Sequence, residues 1–199
     1  MIKKEIKPEF DIHPLIASRW SPRSFSVKAV SKKELMTILE AGRWAASCYN
    51  WQPWEIVYGL KGENTYDRIM DCLVEFNQSW CKNASALMIG AYKKTNPEGK
   101  DNFHALHDLG QFMANASIQA QSMGIAMHQM AGVKVEEAIK EFGFPDDYHV
   151  ATAIAVGYYG DENHADEQLP DELKEQEVLP ERNRKPLKDF VFNGDFKGK

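Results

Sequence analysis

Asn102-Phe-His-Ala-Leu-His-Asp-Leu-Gly-Gln-Phe-Met-Ala-Asn-Ala-Ser-Ile-Gln-Ala-Gln-Ser-Met123 is the longest helical signal in the chain. Leu106, Leu109, Met113, Ala116 and Ala120 recur at the spacing of one helix face, and Gly124 follows as a natural C-terminal cap. A second stripe, Gly110, Ala114, Ser117 and Gln121, is made of small or polar side chains. Small residues let a neighbour approach closely, so this helix is expected to pack on two sides, as a central or inter-subunit helix does.

Upstream, Ser31-Lys-Lys-Glu34 reads as a capping box, with Val30 and Leu35 placed as a hydrophobic staple. Leu35, Ile38, Leu39, Gly42 and Ala45 then keep a helical period that ends in small residues. Trp54 to Leu60 is rich in β formers; a helix is expected from about Asn64 to Cys81 and a strand around Leu87 to Lys93. Downstream, the pattern predicts a short strand near Ile125 to Gln129, a helix over Val135 to Phe142 and an apolar strand over His149 to Tyr158. Strand-helix alternations are too few for a doubly wound sheet, so the class is mixed α+β.

From Gly160 to Glu181 the sequence turns polar and acidic, and Arg182 to Phe192 is again basic and apolar. Leu187, Phe190, Val191 and Phe192 give that tail something to bury. The expected organisation is one domain over 1–199, with 160–199 an extended arm docking on a partner subunit.

The 199 residues are 43% hydrophobic, enough for one domain with a true core. A net charge of -5 with both signs intermixed argues against nucleic acid or an anionic membrane surface as partner. No apolar run approaches the ~18 residues of a membrane span, and the first nine residues are charged where a signal peptide needs an apolar stretch. Cys48, Cys72 and Cys81 form neither a disulfide framework nor a thiolate metal motif. The expected location is cytoplasmic.

Arg19-Trp-Ser-Pro-Arg23 gathers two guanidinium groups and a hydroxyl, a mix that suits phosphate oxygens and equally suits a solvated face. Arg182-Asn-Arg184-Lys185 is a second basic group, and a tail folded back would let both share one dianion. Ala46-Ser-Cys-Tyr49 and Asn50-Trp-Gln-Pro-Trp54 set amides and hydroxyls beside aromatics, as a flat heteroaromatic ligand requires or as a loop of core-filling tryptophans would. Gly132 in His128-Gln-Met-Ala-Gly132 either lets backbone approach a ligand or makes a turn. His104, His107 and Asp108 share a helix face but lack a remote partner ligand, so no metal is expected. Cys48 has no evident base, and nucleotide-binding and hydrolase motifs are absent from the sequence.

In order and spacing, Arg19-Trp-Ser-Pro-Arg-Ser-Phe25, Asn50-Trp-Gln-Pro-Trp54, Asn77 before Trp80, Asp108-Leu-Gly110, His128-Gln-Met-Ala-Gly132 and Arg184-Lys-Pro-Leu187 resemble the nitroreductase family. The resemblance spans about Ile16 to Phe192. It implies an intertwined homodimer whose central, mixed and mainly antiparallel sheet is flanked by helices, with FMN held between subunits. By position, Arg19, Ser21, Arg182 and Arg184 match phosphate contacts, and Arg23 matches a cationic position beside the flavin pyrimidine. Ser47 and Asn50 match contacts from the second subunit, Asn77 a ring-side amide, and Met130, Ala131 and Gly132 the loop whose backbone N–H approaches flavin N5. With the adjacent Trp20 and Ala46, these form the candidate cofactor-binding set. Two positions depart from the common pattern: Trp51 stands where serine is frequent, and Ala131 replaces an acidic residue.

The implied activity is a ping-pong cycle in which NADH or NADPH gives hydride to N5 and a nitroaromatic, quinone or similar acceptor then takes the electrons. No side chain need act as nucleophile or general acid, because the flavin carries the chemistry. The same resemblance also admits a non-catalytic flavin carrier or structural dimer, and a relative that uses reduced flavin for flavin fragmentation or dehalogenation.

Overall fold

The computed structural model describes residues 2–196. Four strands, β1 (Trp54–Leu60), β2 (Ala86–Lys93), β3 (Ile125–Met130) and β4 (Tyr148–Tyr158), form one antiparallel sheet in the order β1-β2-β4-β3. Side chains alternate between its faces. Ala86, Met88, Ile125, Met127, Ile154 and Val156 point into one core with α2 (Lys32–Arg43) and α5 (Ala105–Ser122). Leu87, Ile89, Ala126, Ala153 and Ala155 point into the other, against α3 (Asn64–Asp71), α4 (Glu75–Cys81) and α6 (Val135–Phe142). Helices on both faces explain why β2 and β4 read as continuous apolar runs instead of alternating ones. The α+β class and the helix-flanked antiparallel sheet expected above are both present.

The capping box forms as the sequence predicts: Ser31 N donates to Glu34 Oε2 at 2.8 Å, and Glu34 N donates to Ser31 Oγ at 3.3 Å. Leu35 and Ile38 are fully buried on the inward face of α2. Gly42 packs directly on α5, where an added Cβ would fall 2.6 Å from Phe112 Cζ. Any larger residue would push the two helices apart.

On α5, Leu109, Met113, Ala116 and Ala120 are buried as expected, but Leu106 is not. It lies on the wheel between the buried arc and the small-residue stripe, and like the nearby Phe103 it is exposed. The second stripe is covered only toward its C-terminal end. Gln121 Nε2 donates there to Ser18 Oγ, at the end of α1 (Pro14–Ser18), while Gly110 and Ala114 stay exposed.

Two other segments differ from the expectation. The helix expected over Asn64 to Cys81 is broken, because residues 72–74 pair with 132–134: Leu73 bridges Val133, Val74 N donates to Gly132 O and Lys134 N to Cys72 O. Gln78 Nε2 fills the gap by bonding the Met70 and Leu73 carbonyls. Residues 162–178 are helical rather than extended, forming α7 (Glu162–Gln168) and α8 (Asp171–Val178). Asp161 caps α7 by accepting from His164 N, and Leu169 and Leu173 anchor the pair to this chain's own core.

Candidate functional site

The basic turn after α1 is held almost wholly by side chains. Arg182 donates through Nη1 to Arg19 O and through Nη2 to Ala17 O at 2.5 Å. Tyr159 OH donates to Trp20 O, and His128 Nδ1 bonds Pro22 O at 2.9 Å. Glu177 Oε1 accepts from Arg23 N, Ser24 N and Ser24 Oγ, each at 2.9 Å, and Gln168 bonds both the N–H and the carbonyl of Phe25. Past it, Phe25 bridges Tyr159 and Ser26 N donates to Tyr158 O at 2.9 Å, so the irregular turn is satisfied by side chains before the chain pairs at the end of β4.

This arrangement brings Arg19 together with Arg182 and Arg184, while Arg23 lies on the His128 side of the same turn. Arg19 Nη1 donates to Ser21 Oγ at 3.3 Å. Burial, followed by the charges of Arg19 and Arg184, pushes the Arg182 guanidinium below its ordinary value. None of these arginines forms an ion pair among the described residues. Arg23 Nε is buried with no protein partner there. Like charges gathered without a counter-ion call for an anion. Beside them a groove of about 710 Å³ opens between residues 5–16 and 181–190, with Phe10, Ile12, Ile16, Leu187 and Phe190 on its walls.

A second part of the site adjoins the turn through His128. Its ring packs on Trp80 of α4 at 4.7 Å, and burial pushes its pKa down to about 4. Asn77, one helical turn before Trp80, donates through Nδ2 to Gly132 O at 3.0 Å. A Cβ on Gly132 would lie 2.4 Å from that nitrogen, so close backbone approach is what this glycine serves. Met130 is buried at the end of β3, where its carbonyl accepts from Thr152 Oγ1. The N–H groups of Ala131 and Gly132 find no backbone acceptor among the described residues.

Ala46, Ser47 and Asn50 are elsewhere. They belong to the loop after α2, fixed to the start of α5 by the bond from Cys48 N to Asp108 Oδ2 at 3.1 Å. Arg19 and Trp20 lie at the other end of α5, where Tyr159 OH bonds both Trp20 O and Gln121 Oε1. Asp108 and Gln121 are separated by about 20 Å of helix at ~1.5 Å per residue. The chain alone does not bring the two halves of the candidate set together. Within the loop, Tyr49, Asn50 and Gln52 adopt φ values of 48, 57 and 51°, a strained run that Ser47 Oγ stabilises by accepting from Gln52 N.

Among the described residues no cluster of His, Cys, Asp and Glu could hold a metal; Asp108 is committed to the Cys48 N–H. All three cysteines are free thiols. No helix is long and apolar enough to cross a membrane among the described residues. Sequence reasoning missed Tyr159, Gln168 and Glu177. Gln168 and Glu177 stand in the polar, acidic stretch 160–181 with no apolar pattern around them, so they read as surface until the partner turn is seen.

The cluster of guanidinium cations, the orphaned Arg23 Nε and the Gly132 cradle fit a flat anionic cofactor such as FMN. Comparison with known proteins agrees in fold. The family model described as the nitroreductase family matches residues 16–79 and 65–158. A solved oxidoreductase containing FMN is similar over 97% of this chain and 96% of its own, with 34% identity and a TM-score of 0.88. An uncharacterized 15.4 kDa protein of Mycolicibacterium smegmatis is 32% identical over 122 residues, 61% of this chain and 78% of its own length. A nitroreductase family protein from Clostridium difficile 630 shares the fold at 19% identity, over 92% and 97% of the two chains, with a TM-score of 0.68. With its fold, its turn of arginines and the extent of the family match, the chain belongs to the nitroreductase family.

Proposed function

We propose that this protein is an FMN-dependent oxidoreductase that takes electrons from NADH or NADPH and passes them to a small oxidised molecule of the nitroaromatic or quinone type. The observation that carries the reading is the cluster of Arg19, Arg182 and Arg184, which forms no ion pair among the described residues. Support for FMN in particular comes from the FMN-containing oxidoreductase that is similar over nearly the whole chain. Bound FMN supplies the redox chemistry.

The protein's own groups bind and orient. Arg19, Ser21, Arg182 and Arg184 hold the phosphate, because guanidinium forks match its oxygens. Arg23 contributes a fixed positive charge that favours the electron-rich state of the ring system. Asn77 fixes the Gly132 carbonyl and so aims the free Ala131 and Gly132 N–H groups into the site. Ala46, Ser47 and Asn50 complete the pocket from a second subunit, which docks on the exposed Gly110 and Ala114 stripe of α5. The residues after 179 pair first with this chain's own N-terminal segment, Glu5 N to Pro180 O and Arg182 N to Glu5 O, and from there extend toward the partner as an arm.

The test is the visible spectrum of the purified protein before and after anaerobic NADH or NADPH, with the released chromophore identified by chromatography. Bound FMN that bleaches establishes cofactor and electron donor together. FMN that stays oxidised makes the protein a carrier, and a colourless protein that cannot be reconstituted refutes the reading.

A further inference from the structure

Glu177 sits on the last turn of α8 and is 1% exposed, yet its Oε1 is spent on three donors of one short segment: Arg23 N, Ser24 N and Ser24 Oγ. At the end of α7, Gln168 clamps Phe25 from both sides, at 2.9 Å to its N–H and 2.7 Å to its carbonyl. The helix carrying Glu177 is itself pinned. Lys4 Nζ donates to the Glu177 and Leu179 carbonyls at 2.5 Å while lying 4.5 Å from the Trp20 ring centroid. A buried carboxylate persists only where its bonds are made, so Glu177 and the Arg23 turn are fixed relative to each other.

We propose that Glu177, assisted by Gln168, is a positioning residue that sets where the Arg23 guanidinium stands in the FMN site. The inference rests on the FMN reading above. It gives α7 and α8 a role that packing alone does not: they carry the template for the arginine turn, and the chain that leaves α8 carries Arg182 and Arg184.

Apo-protein of wild type, Glu177→Ala and Glu177→Gln is titrated with FMN by quenching of flavin fluorescence, and thermal unfolding of each apo-protein is recorded alongside. Glu177→Ala should bind FMN at least about tenfold more weakly, and Glu177→Gln, which keeps an acceptor oxygen in place, should return to within about threefold of wild type. The midpoint potential of bound FMN should shift in Glu177→Ala toward that of Arg23→Ala, and the shift should vanish in the Arg23→Ala background. Unchanged FMN affinity with only a lowered melting temperature overturns the proposal, as does a Gln variant as weak as the Ala variant. If Glu177→Ala does not fold, Ser24→Ala removes one of the three donors, and wild-type affinity in that variant likewise overturns the proposal. Wild-type apo-protein that takes up no FMN refutes the cofactor reading itself and this inference with it; failure confined to the variants refutes this inference alone.

Discussion

The Asn77 carboxamide donates to the Gly132 carbonyl at 3.0 Å, and the same nitrogen occupies the space where a Cβ of residue 132 would stand, at 2.4 Å. Residues 72–74 bond the other side of this loop, so neither partner can retreat without breaking a backbone bond. Gly132→Ala should therefore cost about 1 to 3 kcal/mol in denaturant unfolding, as overpacking does. In the Asn77→Ala background the cost should shrink without vanishing, because Val74 Cγ2 still lies 2.8 Å away. Strictly additive effects would show that the two residues do not share this space.

Arg182 and Arg184 should separate when each is replaced by alanine. Arg184 is exposed and bonds only its neighbour's carbonyl, whereas Arg182 also ties down the Ala17 and Arg19 carbonyls. Loss of one charge-assisted phosphate contact is worth ~1.5 to 3 kcal/mol, so Arg184→Ala should weaken FMN binding roughly 10- to 150-fold with the apo-protein's melting temperature unchanged. Arg182→Ala should lower both. Equal melting losses in the two variants would contradict the division of labour.

Much of this was legible because local signals agreed with the tertiary result. The Ser31 to Glu34 box starts α2, and Gly42 ends its inward face where Phe112 crosses. Arg19, Arg23, Asn77 and Gly132 are named by family spacing, and the fold links the arginine turn to the helix of Asn77 through His128, which bonds Pro22 O and packs on Trp80. The illegible parts share a physical cause. α7 and α8 turn the half-buried Gln168 and the buried Glu177 inward, polar groups whose partners are 143 and 153 residues away in sequence, so no periodicity marks them as inward. The break at residues 72–74 is likewise imposed from outside, by pairing with 132–134, and propensity over Asn64 to Cys81 carries no sign of it. Leu106 follows the helical period but lies where α5 faces away from its own core.

His128 gives the fold an acid-sensitive point. Burial holds its pKa at about 4 against an ordinary 6.5, with the charges of Arg23 and Arg19 adding to the fall and the Pro22 carbonyl opposing it. The unfolded chain takes up a proton near 6.5 while the folded one stays neutral until about 4. Stability from this residue is therefore complete above 6.5, and up to about 3 kcal/mol is lost as the pH falls from 6.5 to 4. His128→Asn should be less stable at neutral pH and should lack that component of the slope, read as the difference between the two unfolding-versus-pH curves. Parallel curves over that window would place the titration elsewhere.

The two ends of α5 lead to the sharpest test of a shared site. Arg19 is tied to the Gln121 end and Asn50 to the Asp108 end, about 20 Å apart in one chain at the helical rise. If each FMN lies between the arginine turn of one subunit and the loop of its partner, Arg19→Ala and Asn50→Ala homodimers both have two damaged sites. A mixed dimer concentrates both lesions in one site and leaves the other intact, so refolding the two variants together should restore tight binding of one FMN per mixed dimer. If each chain held its own FMN, mixing would restore nothing. The proposed dimer surface can be tested separately: a Cβ on Gly110 meets nothing within 4 Å in the chain, so Gly110→Glu is compatible with the folded subunit. In the dimer it would place a charge against the facing α5, and sedimentation should then find a folded monomer with weakened FMN binding; an intact dimer would move the interface to another face.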